Sequence, residues 1–386
     1  MNNVLQDFLA QLNADIFYRE FSFSRNDFVP VPGEQKEFAD HVVWIDNLLI
    51  IYQLKQRGGS KDISEETERR WFKNKILGKA TKQVRDTLHF LKEHPEITIQ
   101  NQRGHVFNVN SESLKHIIKL IVYAPSRNLP ESCLRIRHHV SSTAGFIHIV
   151  PWPDYVGVCL TLLTPAEFVE YFQFREAIID RWSEKGQIPS EPALVGQFLW
   201  GDDNARPSEE YVEFLNTLKQ DHGDFDISYL LAGIGERITY SKGMGAETDY
   251  YAILAEFAKL HRGDLKEVKK RVVMCLEAVR DNQFMRPTRI IAPTTGCGFV
   301  FIPVEEELVE QRINGLGNLT YAAKYEHRLQ RQVGVCFAKE GEYIHIDWCF
   351  QDFPWQHDAD VEAMLRDSNP FLPLRSEIRP RYEFEQ

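Results

Sequence analysis

Two apolar runs meet at one polar step in ADHVVWIDNLLIIYQLKQR, residues 39–57, and no other stretch limits the fold as tightly. Val42, Val43, Trp44 and Ile45 precede Asp46-Asn47, and Leu48, Leu49, Ile50, Ile51 and Tyr52 follow it. β-Branched and aromatic side chains in runs of this length favour strands. Asp and Asn tolerate the left-handed backbone of a tight turn. The segment is therefore predicted to be a buried hairpin. A symmetric loop at Asp46-Asn47 pairs Ile45 with Leu48, His41 with Tyr52 and Asp40 with Gln53. Directly opposed side chains share a face, and side chains alternate with period two. Asp40, Gln53 and Lys55 then lie on one face while Leu54 points away. A slip of one residue would separate them.

A carboxylate, an amide oxygen and an ammonium at the end of a buried hairpin can serve phosphodiester chemistry. A hard cation such as Mg²⁺ or Mn²⁺ takes oxygen ligands. It polarises a phosphoryl oxygen and acidifies a bound water. A lysine beside it stabilises developing negative charge.

Charge is segregated in the same region. Residues 53–92 hold eleven Lys/Arg against five Asp/Glu, a local +6 in a chain of net −11, so the remainder carries −17. An acidic chain repels a polyanion at long range, and a nucleic-acid partner needs such a local basic surface. Gly58-Gly59-Ser60 ends the second strand of the hairpin. Ser64, followed by Glu65 and Glu66, is a helix start. The helix is predicted to reach His94-Pro95, burying Phe72, Ile76, Ala80, Val84, Leu88 and Leu91. Its basic face (Arg69, Arg70, Lys73, Lys79, Lys82) suits either phosphate contact or an ordinary wetted surface.

The hairpin and this helix resemble the core of PD-(D/E)XK nucleases, where an Asp opens one strand and (Glu/Gln)-x-Lys sits on the next. Gln53 in the second position is similar to the Mrr-like variant, and Gln83 in KATKQV sits like the helical Gln of several such families. The resemblance covers residues 1–95. It implies an α/β fold with a restriction-endonuclease-like mixed sheet flanked by helices, acting as a Mg²⁺- or Mn²⁺-dependent nuclease on DNA. Asp40 and Gln53 would be metal ligands, and Lys55 would support the nucleophile. Arg57, Lys73, Lys79, Lys82 and Gln83 would face nucleic acid. Restriction or anti-phage defence is the setting it suggests, in a homo-oligomer or beside a partner subunit. Related enzymes add an acid from near the first helix, and Glu20, Glu37 and Asp7 are the candidates, in that order. A nuclease fold that only grips nucleic acid or a partner protein is the alternative.

Elsewhere a helix is expected at 4–13, a strand at FYREFSF, and a loop at FVPVPGEQKE. Further strands are expected at HVFNV, HIIKLIVYA, FIHIV and GVCLTLL, followed by a helix at FVEYFQFREAIIDRW. The polar stretch GDDNARPSEE (201–210) marks a boundary between a nuclease-like domain, 1–200, and an α+β domain, 210–386. The second domain is predicted to hold helices near 210–220 and 248–282, and strands at RIIAP, GFVFIPV, QVGVCFA and YIHIDWCF. Arg135, Arg137, His138 and His139 alternate as on an exposed strand face and are weaker candidates for substrate contact. His345 and Asp347 would share a strand face, but their spacing fits no closed zinc set. Gly233-x-Gly235 lacks a preceding strand and a third glycine, which argues against a dinucleotide turn. Thr294-Thr295-Gly296-Cys297-Gly298 reads as a turn. Six scattered cysteines with no CxxC pair are expected to be reduced and structural. No apolar run approaches the roughly 20 residues of a membrane span. With an N-terminus unlike a signal peptide, a cytoplasmic location is expected.

Overall fold

Alternation of apolar helix stripes with strand runs gives the chain a mixed α/β fold. The computed structural model describes residues 4–24, 27–31, 34–57, 64–185, 188–218, 222–237, 246–292 and 295–375. The chain divides into two units, Met1–Leu218 and Lys219–Gln386. The turn at Gly58-Gly59-Ser60 and Thr294 lie outside the described residues.

The first unit opens with helix α1 (Val4–Phe17), which buries Leu5, Leu9, Asn13 and Phe17. FYREFSF forms only a short strand, β1 (Ser22–Ser24), because α1 continues to Phe17 and a 3₁₀ turn follows it. Where FVPVPGEQKE was expected to be a loop, β2 (Asp27–Val31) and β3 (Glu34–Glu37) pair with each other. Pro30 has no N–H to donate, which bars a central strand but not a two-stranded ladder.

The hairpin forms in the predicted register. β4 (His41–Ile45) and β5 (Leu48–Gln56) pair Ile45 with Leu48 and His41 with Tyr52. Asp46 takes the left-handed conformation, φ 48°, and the Trp44 indole closes the loop on the Asp46 carbonyl at 3.1 Å.

One long helix, α2, follows in three sections: Glu65–Trp71, a π-helical stretch Phe72–Ala80, and Thr81–Glu93. The Ser64 hydroxyl caps it by accepting from the Thr67 N–H. Phe72, Ile76, Ala80 and Val84 recur every four residues, overstepping the 3.6-residue turn of an α-helix. The wider π turn keeps that stripe on the sheet.

Strands β6 (Glu96–Gln100) and β7 (Val106–Asn110) form a separate hairpin. β8 (His116–Ala124), β9 (His138–Ser141) and β10 (Gly145–Pro151) complete a six-stranded sheet of order β1-β4-β5-β8-β10-β9. Within it β5, β8 and β10 run parallel. Helix α2 covers one face, packing Phe72, Ile76, Ala80 and Val84 on Ile121, Tyr123, Ile147 and Ile149.

The other face meets α1, α3 (Trp152–Leu162) and α4 (Pro165–Trp182). There the Tyr155 hydroxyl donates to Asn13 Oδ1 at 2.5 Å and lies 3.2 Å from the Tyr52 hydroxyl. GVCLTLL is thus helix and not strand. Tyr155, Val158, Cys159 and Leu162 are buried at helical spacing, and Pro153 sits in the first turn, where its missing N–H costs nothing. Helices α5 (Glu191–Trp200) and α6 (Tyr211–Thr217) close the unit. Gly196 leaves no room for a Cβ against the Tyr211 carbonyl, so the 201–210 stretch connects two packed helices within this unit.

A buried ionic network ties β10, α4 and α5 together. Arg175, fully buried, donates to both Glu191 oxygens at 2.6 and 3.1 Å, and its other nitrogen lies 3.0 Å from His148 Nδ1. Tyr171 and Arg137 also donate to Glu191, at 2.5 and 3.0 Å. Burial alone would raise the Glu191 carboxyl pKa; the two guanidiniums and the Tyr171 hydroxyl outweigh it and hold the group ionised.

In the second unit, α7 (Tyr251–Ala258), α8 (Arg262–Arg280), β11 (Thr288–Ala292), β12 (Cys297–Val304), α9 (Arg312–Glu326), β13 (Arg331–Glu340), β14 (Tyr343–Asp352) and α10 (Ala359–Ser368) follow in order. The sheet order is β11-β12-β13-β14, with β12 and β13 parallel across the α9 crossover. Phe257 of α7 packs on Phe299 of one sheet face, and α9 covers Val300, Ile302 and Cys336 on the other. Gly334 has no space for a Cβ beneath Thr320 of α9. Among the described residues, no helix is long and apolar enough to cross a membrane.

Two outcomes follow for the first unit. Arg175→Ala removes the fully buried cation beside Glu191, leaving Arg137 and Tyr171 as its donors, and should cost roughly 3 kcal/mol in urea unfolding. An unchanged midpoint would show that the network carries no stability. The second concerns His41, which is buried between Ser24 Oγ, at 2.8 Å, and the Tyr52 ring. Burial lowers its pKa from 6.5 to about 3. The unfolded chain therefore binds a proton that the folded one refuses as pH falls from 6.5 toward 3, so stability present above pH 6.5 is lost on acidification. Between pH 6.5 and 5 the expected loss is about 2 kcal/mol. His41→Gln should flatten the profile over that range; an identical profile would exclude His41 as its source.

Candidate functional site

The site grows from the place where β4 runs out of backbone. β4 begins at His41, and beyond it the carboxylate of Asp40 takes over the pairing role. Asp40 Oδ2 accepts from the Leu54 N–H at 2.5 Å, and the Lys55 ammonium donates to the same oxygen at 3.1 Å. Lys55 also donates to its neighbour's carbonyl, Leu54 O, at 2.8 Å. From α1, the Gln6 amide donates to the Asp40 carbonyl at 2.8 Å and fixes the backbone there. The ion pair is half-sheltered, with Lys55 13% and Asp40 15% exposed, so it keeps access to solvent.

Gln53 is the next pair after His41–Tyr52, on the Asp40 side of β5, and stands beside Ile121 of β8. It is 2% exposed, and its Oε1 accepts no hydrogen bond. Gln83 of α2 presents a second such oxygen, since its Oε1 is buried and unpartnered as well. Thr87 locates Gln83, because its hydroxyl reaches Phe38 O at 2.6 Å and Gln83 O at 3.1 Å. The helix is thereby pinned to the chain two residues before Asp40. A buried acceptor without a donor is costly. Gln53, next to the pair that closes the β4–β5 ladder, and Asp40 give the hairpin end oxygen atoms of the kind a hard divalent cation takes.

The other sequence candidates are distributed differently. Glu20 lies in the 3₁₀ turn before β1, beyond the Ser22–Val43 pair and so at the end of β1 away from His41. Glu20 is moreover buried against Arg103, with Nε to Oε1 at 2.9 Å. It does not join Asp40. Because β1 runs antiparallel to β4, residues preceding β1 are carried to the turn end of the hairpin. Asp7 is exposed on α1 beside Gln6, and the side chain of Glu37 lies outside the described residues.

Arg57 is drawn to Glu68 of α2, Nε to Oε1 at 3.0 Å, so part of its charge is spent within the fold. Lys73, Lys79 and Lys82 are all exposed on α2. Between residues 69 and 85 that helix holds seven basic side chains and no acid.

Of the weaker candidates, Arg137 belongs to the buried network with Glu191, His138 stacks on Phe146, and Arg135 pairs with Glu131 at the surface. His345 pairs with Glu340 and Asp347 with Arg312, so the two take separate partners. Gly233 and Gly235 lie inside a helix, Ser228–Arg237, and form no phosphate-binding turn. Cys297 is fully buried, which pushes its thiol pKa up and away from nucleophilic reactivity. All six cysteines are free.

Residue reading alone missed Gln6 and the Thr87 bridge. Gln6 carries no motif and becomes relevant only when α1 packs at the end of β5, where Leu5 N meets Gln56 Oε1 at 3.4 Å. The chain matches no family model, and neither a curated protein nor a solved structure matches it.

Proposed function

We propose that the first unit is a metal-dependent nuclease that hydrolyses DNA phosphodiester bonds. The carrying observation is the hairpin end, where Asp40 is bound to Lys55 and Gln53, on the strand beside it, buries an unpartnered oxygen. Asp40 and Gln53 would hold a Mg²⁺ or Mn²⁺ ion, which supplies Lewis-acid polarisation of the phosphoryl oxygen and an acidified water.

The protein's own groups have distinct tasks in this reading. Lys55, held on Asp40, places a positive charge beside the phosphoryl group. It stabilises the charge that builds on the non-bridging oxygens as the water oxygen bonds to phosphorus. The P–O bond to the leaving nucleotide then breaks, the attacking water's proton passes to solvent, and the leaving oxygen takes up a solvent proton. Leu54 N and Gln6 keep Asp40 in position throughout.

The basic run on α2 supports a nucleic-acid substrate. Exposed Lys73, Lys79 and Lys82 neutralise backbone phosphates on the helix that also delivers Gln83, and release of counterions drives that association. A role for the second unit in substrate selection, assembly with a further copy or partner subunit, or regulation fits its separate core. It offers a pocket of 680 Å³ at the carboxyl end of β12, where α/β sheets commonly take ligands. A setting in restriction or anti-phage defence rests on analogy of fold alone.

Gln53 also favours a second reading, since a neutral side chain where related nucleases carry an acid suits a module that grips nucleic acid without cutting. Cleavage of supercoiled plasmid in Mg²⁺ separates the two. Asp40→Ala and Lys55→Ala should each lower the rate at least about 100-fold while DNA binding persists. If both variants cut like the parent, the site lies elsewhere; binding without any cutting favours the gripping module. Lys73→Gln and Lys79→Gln should each reduce the slope of log affinity against log salt by about 1. Unchanged slopes would remove α2 from the interface.

A further inference from the structure

We propose that the pocket at the carboxyl end of β12 is a ligand site for a small ring carrying a phosphate, such as a nucleoside monophosphate. Every residue in it belongs to the second unit, so the inference goes beyond the nuclease reading and does not depend on it.

The pocket forms where the chain leaves β12 for the α9 crossover. Its volume, 680 Å³, lies in the range of small-molecule sites, roughly 300–1,000 Å³. Ile302, Val304, Leu319, Met285 and Pro287 supply its apolar lining. Hydrogen bonds tie the walls to one another, so the pocket takes its shape without a ligand. Asn282 Oδ1 accepts from the Glu306 N–H at 3.3 Å, which joins the segment ahead of β11 to the turn after β12. The Leu372 N–H donates to Pro287 O at 3.0 Å, and Asn369 Nδ2 donates to Glu326 Oε1 of α9 at 2.9 Å. Between them Phe371 is buried in the core of the unit.

The polar lining matches the parts of a nucleotide. Arg286 donates to the Asn369 and Pro370 carbonyls, contacts that hold its guanidinium in place without cancelling the charge. Arg312, also in the lining, is by contrast paired with Asp347 at 3.0 Å. A guanidinium held at a pocket wall and still charged suits a phosphate, which its planar fork grips by two hydrogen bonds. Asn314 and Asn318 stand one turn apart on α9 and line the pocket together. Each carboxamide both donates and accepts, as reading the edge of a base requires. Glu305 offers a carboxylate to the hydroxyls of a sugar. Phe284, a lining ring left 73% exposed, gives a base a face to stack on.

Helix α9 carries an independent mark of the site. Gly315 and Gly317 lie inside it, although glycine is among the poorest helix formers. Packing does not demand them, because a Cβ at either position would meet no atom within 4 Å. Gly334 is the opposite case, with Thr320 where its Cβ would go. Gly315 lines the pocket, and any side chain there adds bulk to that wall. The helix gives up stability at a position where the return is open space beside Asn314 and Asn318.

The experiment is a calorimetric titration of AMP, GMP, CMP and UMP into the full chain, beside the four nucleosides and inorganic phosphate. At least one monophosphate should bind with Kd below about 1 mM. It should bind about tenfold or more tightly than its nucleoside and than phosphate alone. Gly315→Leu should weaken that binding at least about tenfold by filling the pocket, while the thermal midpoint stays level or rises. Arg286→Gln should remove the preference for the monophosphate over its nucleoside. Phe284→Ala should weaken both about tenfold.

If none of the four monophosphates binds below about 1 mM, the proposal is overturned. Phosphate that binds as tightly as the nucleotides overturns it too, since the ring would then contribute nothing. So do Gly315→Leu and Arg286→Gln chains, folded by circular dichroism, that bind like the parent. None of these outcomes bears on cleavage at the hairpin end, which its own variants test.

Discussion

The hydrogen bond from Leu54 N to Asp40 Oδ2 decides how this end of the sheet is built. β5 is a central strand, flanked by β4 on one side and β8 on the other, and its buried backbone groups must all find partners. Backbone pairing with β4 stops at His41–Tyr52. A side-chain carboxylate then substitutes for a strand, and one oxygen serves both the Leu54 N–H and the Lys55 ammonium. The interaction that ends the ladder thus also fixes the geometry of the candidate site. Structure and chemistry share an atom, which ties the position of Lys55 to the integrity of the sheet.

Helix α2 does two jobs that pull its sequence in different directions. Its inner stripe must stay apolar to cover Ile121, Tyr123, Ile147 and Ile149. Its outer face holds basic side chains that repel one another at low salt. The four-residue spacing of Phe72, Ile76, Ala80 and Val84 is met by a π-helical section, a form found mostly as short insertions and often at functional sites. That section lies between the Ser64 cap and Gln83, so the widened backbone sets the rotation of the turn that carries Gln83. Thr87 then locks this rotation by bridging Gln83 O and Phe38 O.

The hairpin was legible because three independent signals agreed: apolar runs, a turn dipeptide and period-two alternation. Together they specify a register without any tertiary information, which is why Asp40, Gln53 and Lys55 could be placed on one face. Other readings failed where the deciding contact is distant in sequence. GVCLTLL is a short apolar run that periodicity cannot assign, and its helical state follows from packing on α1 through Tyr155 and Asn13. Glu20 needed the direction of β1 against β4, which no local pattern reveals. Arg137 looked like one member of a surface row. Only the arrival of α4 and α5, bringing Arg175 and Glu191, turns it into part of a buried network.

A neutral glutamine at position 53 looks like a defect on the nuclease reading, yet the local balance of charge argues otherwise. With an acid at residue 53, two carboxylates would face each other across β4 and β5 with one lysine between them, and the empty site would repel itself. Asp40, held by the Leu54 N–H and the Lys55 ammonium, instead has donors of the protein's own that fix its place at the end of the sheet.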